Sequence, residues 1–349
     1  MRPFCGAGYG GIGVSVSKPV CLSGCFAAIL WVSPAAGAAP LQYLTGAGDK
    51  ADPVVALTWG VIVISLVVIV VITALLVGAV WKKPRLVMAV GEKTAIGPAE
   101  GGHNWLWIGV GLSSTVLLFT VVWTVVVLAK AITPATKPLV TIEITGKQWW
   151  WQVKYDSSDP SRVFITANEI HIPAGQPVQF KLIGGDVIHS FWVPQLSGKT
   201  DTIPGQINET WLEAKNPGIY RGQCTEYCGV QHAHMGIVLI ADTPADFRKW
   251  WDHQLQTPTI ADALGASEFV AHCAGCHTVR GTIAAGSLGP DLSHLMTRTT
   301  IAASFPNDGP TLARWIANPQ SLKPGSLMPA PEITAQQRDQ ILAYLETLK

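Results

Sequence analysis

Residues 222–239 read GQCTEYCGVQHAHMGIVL, a segment that places two cysteines, a histidine and a methionine directly before an apolar run. Thiolate, imidazole and thioether groups are soft ligands, which favour copper over the hard cations that prefer oxygen. The two thiolates, Cys224 and Cys228, could bridge a pair of copper ions, with one histidine and one weak ligand for each metal. His232 and Met235 supply half of that requirement, so the rest has to come from elsewhere in the chain.

The missing ligands are found in one other segment and in the main chain. The segment GGDVIHSFWVP presents His189 at a glycine-rich bend after a strand, and the main-chain oxygen of Glu226 lies between the two thiolates. Two other interpretations compete, namely a disulfide between the cysteines or a zinc site that combines them with His232 and His234. Each leaves Met235 or His189 without a role, so the sequence favours copper.

The segments around this loop alternate between apolar and polar residues. From about residue 138 the chain contains LVTIEIT, QPVQFKLI, INETWLEA and MGIVLIAD, separated by turn segments such as IPAGQP and KNPGIY. A period of two with frequent glycine and proline turns predicts a small all-β sandwich or barrel. Residues 244–257 predict a helix that leaves this domain, and residues 260–349 become helical.

The N-terminal part of the chain is strongly apolar. Charged residues make up only 13% of the 349 residues, and the mean hydropathy of +0.31 points to membrane segments. Residues 54–81 and 105–129 carry no charge, and each exceeds the ~20 residues that cross a bilayer. The loop between them is rich in lysine and arginine, which predicts a cytoplasmic loop and two chain ends on the outer side.

Residues 1–39 have the basic, apolar and small-residue order of a secretory leader, with an A-x-A cleavage site near residues 36–38. LSGC at 22–25 also resembles a lipoprotein cleavage box, but ordinary cleavage is the favoured interpretation. Cys5, Cys21 and Cys25 all belong to this leader. The remaining four cysteines form two local pairs, which is typical of binding sites rather than of a disulfide scaffold.

The second cysteine pair belongs to CAGCH, Cys273 to His277, the attachment motif of a c-type haem. The two thiols bond to the haem vinyl groups and the adjacent histidine binds the iron, so we expect all three on one helical turn. A redox C-x-x-C site would need a βαβ context, which ASEFVAHCAGCH lacks. Met328, in the proline-braced segment PGSLMPAP, is the candidate sixth ligand, whereas Met296 in LSHLMTR is typical of a helix-packing residue.

The chain resembles subunit II of the haem–copper cytochrome c oxidases. The resemblance is carried by GKQWWWQVKY, DVIHSFWVPQLSGKTDTIPGQINE and PGIYRGQCTEYCGVQHAHMGIVL, and it extends from the membrane hairpin to about residue 252. It implies a cupredoxin-like domain with a binuclear CuA centre, whose ligands are His189, Cys224, the main-chain oxygen of Glu226, Cys228, His232 and Met235. It also implies that the Glu226 side chain reaches a magnesium ion at the interface with subunit I, and that electrons are admitted at Trp149.

The C-terminal segment resembles a class I cytochrome c, in which LGPDL at 288–292 and the L-M-P loop have counterparts. This resemblance implies that Met328 is the distal iron ligand and that the carbonyl of Pro290 holds the proximal His277. The expected fold is a multidomain membrane protein that combines helices and an all-β sandwich. We expect a leader over 1–39, a transmembrane hairpin over 40–135, an all-β cupredoxin-like CuA domain over 136–257 and an all-α cytochrome c domain over 258–349.

A haem c and a copper centre outside a membrane hairpin predict an electron relay. The resemblance to a caa3-type oxidase implies that an external cytochrome c or a membrane-bound donor reduces haem c, which reduces CuA. Oxygen reduction with proton pumping would then occur in subunit I, in a bacterial inner-membrane complex that also contains subunit III. We find no catalytic acid–base pair or nucleophile in this chain, and a net charge of +1 with scattered signs argues against a nucleic-acid partner.

Other functions fit part of this pattern. The equivalent subunit of a copper-containing nitric oxide reductase would use the same relay, whereas a stand-alone membrane-anchored carrier would need only one span. A copper-delivery protein would have no use for covalent haem, and quinol oxidase subunits lack the copper ligands. One departure from the family concerns the glutamate that often follows His103-Asn104 and feeds a proton path, because no acid follows here and Glu100 is only a nearby substitute.

Overall fold

The computed structural model describes residues 41–82, 104–259 and 263–349. The predicted leader, most of the loop between the two spans, and the residues Cys5, Cys21, Cys25, Glu100 and His103 lie outside these ranges. The described residues form two apolar N-terminal helices, a cupredoxin-like β-domain and a helical C-terminal domain. The fold class predicted from the sequence is therefore confirmed.

The helices are α1 (Asp52–Trp81), α2 (Asn104–Ile132), α3 (Pro244–Gln254), α4 (Ala263–His272), α5 (Gly309–Ala317), α6 (Pro319–Leu322) and α7 (Ala335–Glu346). The strands of the β-domain are β1 (Val140–Lys147), β2 (Trp150–Asp156), β3 (Phe164–Ala167), β4 (Glu169–Pro173), β5 (Val178–Gly184), β6 (His189–Phe191), β7 (Thr200–Thr202), β8 (Ile207–Leu212), β9 (Gly218–Gln223) and β10 (Gly236–Asp242). The C-terminal domain adds β11 (Thr300–Ile301) and β12 (Phe305–Pro306).

Helices α1 and α2 are long and apolar enough to cross a membrane, with 30 and 29 residues and mean hydropathies of 3.3 and 2.3. They pack closely at Gly60, where an added Cβ would lie 2.4 Å from Cη2 of Trp123. The β-domain contacts the end of this hairpin, because Nε1 of Trp211 donates to the carbonyl oxygen of Ala131 at 3.0 Å. The hairpin and the β-domain are thus joined by packing as well as by the chain.

The β-domain has two main sheets that face each other across one core, and a short third sheet formed by β6 and β7. The larger sheet has the strand order β3-β2-β1-β5-β8, and the smaller has the order β4-β10-β9. Buried and partly buried residues alternate along β1, β2 and β5, which agrees with the period of two in the sequence. The core also contains Cys224, Cys228 and Met235, so the ligand-rich loop packs into the rim of the sandwich.

The C-terminal domain is built on the contact between its first and last helices. The rings of Phe269 on α4 and Tyr344 on α7 lie 5.3 Å apart, and a capping box between Thr334 and Gln337 begins α7. Helix α4 ends at His272, and the CAGCH residues follow it directly as a turn. The amide of His277 donates to the carbonyl of Cys273 at 3.0 Å, which keeps the two cysteines and the histidine on one turn of the chain.

We expect the sandwich core to dominate the stability of the β-domain. Leu182→Ala removes a side chain with 0% exposure and should lower the free energy of unfolding by about 2–5 kcal/mol, through lost burial and the cavity left behind. Ile207→Ala is the control, because this aliphatic residue on the neighbouring strand is 62% exposed. Denaturant unfolding of the detergent-solubilised chain measures both, and equal losses would contradict this account of the core.

Candidate functional site

The predicted copper ligands lie on the loop that joins β9 to β10. Gly236 pairs with Gln223 across these antiparallel strands, and the amide of Cys224 extends the ladder by donating to the carbonyl of Met235 at 3.0 Å. The side chain of Gln223 also donates to the carbonyl of His232 at 2.9 Å. The two ends of the loop are therefore held together, which folds its cysteines back over the sandwich.

The predicted loop ligands converge around Cys228. Its sulfur lies 3.8 Å from Sγ of Cys224, 3.6 Å from Nδ1 of His232 and 3.8 Å from Sδ of Met235. Sγ of Cys224 lies 3.3 Å from the main-chain oxygen of Glu226. The two cysteines are free and buried, and their separation far exceeds the ~2.05 Å of a disulfide bond.

His189 comes to this cluster from the start of β6. A ring nitrogen of His189 and the sulfur atoms of Cys224 and Cys228 all lie within 4.8 Å of one another. Nε2 of the histidine lies 2.7 Å from Oδ1 of Asp186, whereas Nδ1 is buried without a hydrogen-bond partner. A ring nitrogen held by a carboxylate, close to two thiols, is a common arrangement for a metal-binding histidine.

The electrostatics of the cluster suit a metal ion. The Cys224 thiolate accepts a hydrogen bond from Cys228, which lowers the pKa of Cys224, while that contact and burial raise the pKa of Cys228. Burial opposes protonation of His189, but its contacts with Cys224 and Asp186 outweigh burial and raise its pKa. Cys228 and His189 therefore hold protons that a bound cation would displace, whereas Cys224 is already the thiolate that metal binding requires.

The zinc interpretation loses one of its ligands in the structure. Nδ1 of His234 lies 2.6 Å from Oε1 of Gln231, and its ring packs against Phe305 of the C-terminal domain at 6.1 Å. The remaining donors are two thiols, two imidazoles, a thioether and a carbonyl. This soft set fits copper, and the buried unpartnered nitrogen of His189 fits it as well.

Trp149 is in direct contact with the ligand loop. Its indole Nε1 donates to the carbonyl oxygen of Cys228 at 2.9 Å, and the side-chain amide of Gln148 donates to the same oxygen at 2.7 Å. Trp149 is only 7% exposed. The carboxylate of Glu226 lies instead at the surface, where Nζ of Lys199 is 3.5 Å from it.

The haem motif presents a histidine whose second nitrogen remains available. Nδ1 of His277 lies 2.8 Å from the carbonyl oxygen of Pro290, so a neutral ring that donates there leaves Nε2 to bind iron. Burial lowers the pKa of His277 and favours this neutral form. Cys273 and Cys276 are free thiols in the same turn, and the same domain exposes the apolar side chains of Ile283, Leu288 and Leu327. An apolar haem edge would fit these surroundings.

The two methionines differ in their surroundings. The half-buried Met328 lies in the predicted loop, where its carbonyl accepts a hydrogen bond from Nε2 of Gln320 at 3.2 Å. Met296 packs against the core of the C-terminal domain, and its amide donates to the carbonyl of Leu348 at 2.9 Å. This contrast supports Met328 over Met296 as the candidate iron ligand.

The structure also reveals residues that sequence reasoning missed. Asp186 orients His189, Gln148 braces the ligand loop, and Lys323 of the C-terminal domain contacts the β-domain. The acidic residue three positions before His189 was a signal for the first of these. No local pattern marks the other two, since their partners lie 80 and 174 residues away in the chain.

Comparison with known proteins assigns two segments of the chain to known families. Residues 157–241 match the family model of the cytochrome c oxidase subunit II periplasmic domain, and residues 263–349 match that of cytochrome c. A curated relative, cytochrome c oxidase subunit 2 of Alkalihalophilus pseudofirmus, is 40% identical over 60% of this chain and 61% of its own length. The subunit of the same name from Bacillus sp. (strain PS3) is 31% identical over 61% of this chain and 63% of its own length.

The chain spans slightly less than two thirds of the length of these relatives. Among solved structures, the periplasmic domain of subunit II of cytochrome oxidase (CoxB) of Bradyrhizobium japonicum is 33% identical. It covers 35% of this chain and 96% of its own, with a TM-score of 0.32.

We predict that Asp186 supports metal binding through His189. Asp186→Asn keeps one acceptor oxygen but removes the charge, which should weaken copper binding about 10–100-fold. Competition with a copper chelator measures this affinity, and Asp159→Asn is the control because Asp159 is an exposed carboxylate that caps a different turn. Equal affinities in the two variants would contradict the orienting role of Asp186.

Proposed function

We propose that this chain, which combines a cytochrome c oxidase subunit II domain with a cytochrome c domain, is the electron-transfer subunit of a caa3-type haem–copper oxidase. It would pass electrons from an external donor through haem c and CuA to subunit I, where oxygen is reduced to water with proton pumping. The proposed segments remain 1–39 for the leader, 40–135 for the hairpin, 136–257 for the CuA domain and 258–349 for the cytochrome c domain.

One observation carries the proposal. The five loop ligands predicted from the sequence form a continuous set of contacts of 3.3–3.8 Å, and the unpartnered nitrogen of His189 is buried near its two thiols. When bound, the copper pair and the haem each take up and release single electrons. The chain itself has to hold these groups rigidly and keep water from them, and the buried cysteines on the sandwich rim suit that task.

The proposed copper ligands come from two elements, the strand β6 and the loop between β9 and β10. His189 is held from β6 by Asp186, while the loop supplies Cys224, the main-chain oxygen of Glu226, Cys228, His232 and Met235. Trp149 is the proposed point at which electrons are admitted, and its hydrogen bond to Cys228 supports this role. The exposed Glu226 carboxylate, which pairs with Lys199 in this structure, is the proposed magnesium ligand at an interface with subunit I, as the family resemblance implies.

The proposed haem ligands come from three segments of the C-terminal domain. Cys273 and Cys276 would form the covalent bonds, and His277 and Met328 would bind the iron from its two sides. The carbonyl of Pro290 orients His277 and keeps its ring neutral. Histidine–methionine ligation raises the reduction potential and suits electron transfer rather than oxygen binding.

The proposed location follows from the two apolar helices. They anchor the chain in a membrane, and the match to a periplasmic domain supports an outer location for the copper and haem domains. Subunits I and III would cover the hairpin and the adjoining face of the β-domain. The external donor would be a cytochrome c or a membrane-bound electron carrier.

The central test is the metal content of the full chain purified in detergent. Two copper ions and one haem per chain are expected, with a copper electron paramagnetic resonance spectrum in which one unpaired electron is shared by two nuclei. A single localised copper, or zinc in its place, would refute the binuclear centre. Haem released by acidic organic extraction would refute covalent attachment.

A second test separates the two methionines. Met328→Leu should lower the midpoint potential of the haem by roughly a few tenths of a volt, because axial ligands set that potential. Met296→Leu is the matched control, since Met296 packs in the domain core and should leave the potential unchanged. Spectroelectrochemical titration measures both variants. A shift in Met296→Leu alone would reverse the assignment.

A further inference from the structure

The cytochrome c domain contacts the β-domain through a buried lysine. Lys323 is 2% exposed, and its Nζ lies 2.6 Å from the carbonyl oxygen of Trp149 and 2.8 Å from that of His234. A third carbonyl oxygen, that of Ala302 in its own domain, is 2.7 Å away. An ammonium group has three N–H donors, and here each meets one carbonyl.

This geometry selects the charged form of the lysine. Burial lowers the pKa of Lys323 to about 7. A neutral amine, however, has only two N–H donors and would turn its lone pair towards the third carbonyl oxygen. The three acceptors therefore favour the ammonium, and hydrogen bonds from a charged donor are stronger than those from a neutral one.

The residues after Lys323 lie directly over the ligand loop. Nε2 of Gln231 donates to the carbonyl of Pro324 at 2.8 Å. Gly325 adopts a φ of +85°, and a Cβ added there would lie 3.5 Å from Cη2 of Trp149 and 3.2 Å from Cγ2 of Val230. The glycine therefore allows the main chain of the cytochrome c domain to cover the indole.

A second buried charge holds the domains together away from the ligand loop. Glu169 on β4 is 4% exposed, and one of its oxygens accepts from the amide of Thr299 at 2.9 Å and from its hydroxyl at 2.6 Å. Further contacts join Arg280 to the carbonyl of Gln254 and His294 to that of Gln256. The interface is thus extended. Among the described side-chain contacts, only that of Lys323 joins the C-terminal domain to the segment that contains Trp149.

We propose that Lys323 is the positioning residue that fixes the cytochrome c domain on the copper domain, with its loop closed over Trp149. The loop that it fixes also carries Met328, the proposed iron ligand five residues later. Nζ of Lys323 lies 2.6 Å from the carbonyl oxygen of Trp149, and the indole Nε1 of Trp149 lies 2.9 Å from the carbonyl oxygen of Cys228. Trp149 therefore connects Lys323 with the ligand loop.

This positioning has a consequence that rests on the proposed function. While the domain is docked, a soluble donor protein cannot contact Trp149, because the segment around Gly325 covers its indole. Electrons would therefore be admitted only through the cytochrome c domain. The docking itself is a property of the chain and can be measured separately from electron transfer.

The test is hydroxyl-radical footprinting of the full chain in detergent, loaded with copper and haem, with oxidation read at Trp149 by tandem mass spectrometry. Lys323→Met keeps the aliphatic stem and removes the ammonium. Lys349→Met is the control, as an exposed lysine of the same domain. Trp151 serves as the internal reference, since it is buried in the sandwich core and should not respond to undocking.

We expect Trp149 to be protected in the unmodified chain and in Lys349→Met. In Lys323→Met its oxidation should rise roughly tenfold, because two charged hydrogen bonds across the interface are lost. Trp151 should not change, and an unaltered haem spectrum would show that the domain remains folded. Trp149 that is reactive in the unmodified chain, or still protected in a fully loaded Lys323→Met, would overturn the proposal.

A second variant keeps the test decisive if Lys323→Met fails to bind haem. Lys323→Gln keeps a polar end group but has no charge and only two N–H donors, so it should produce a smaller rise at Trp149. Unchanged protection in this variant, with copper and haem bound, would then refute positioning by Lys323. Missing copper or haem in the unmodified chain would instead count against the proposed function, which is a separate result from the footprint.

Discussion

The carbonyl oxygen of Cys228 accepts hydrogen bonds from the side chains of Gln148 and Trp149, and the candidate copper site depends on this contact. It ties the tip of the β9–β10 loop to the segment between β1 and β2. A buried carbonyl without a partner would cost about 1–3 kcal/mol, so the two donors hold the loop in one position. The sulfur of the same residue then lies within 3.6–3.8 Å of Cys224, His232 and Met235.

The same constraint extends to the cytochrome c domain through the main chain of Trp149. Its indole contacts the ligand loop and its carbonyl accepts from Lys323, so one residue connects the ligand loop with the C-terminal domain. Charges buried at an interface are favourable only when their hydrogen bonds are complete, and Lys323 has a carbonyl for each donor. The domain contact is therefore selective for a single orientation, unlike a docking driven by surface charges that salt would screen.

Local patterns predicted much of this fold correctly. The alternation in β1 and β5 produced the expected inward and outward side chains, and the uncharged runs became α1 and α2. The CAGCH motif forms a single turn, although α4 itself ends before the first cysteine. Haem attachment depends on spacing along the chain, which a turn satisfies as well as a helix does.

The amino-acid sequence by itself determined the kinds of group available: two thiolates, a thioether and an imidazole in one loop, a haem motif, and two apolar spans. These follow from short-range order, because ligand type and hydrophobic period can be read along the chain. Only the tertiary structure decided that His189 lies beside the two thiols, that Asp186 orients it, and that Lys323 donates to the carbonyl of Trp149. Such contacts join residues far apart in the chain, and they exist only once the sheets and the C-terminal domain have packed.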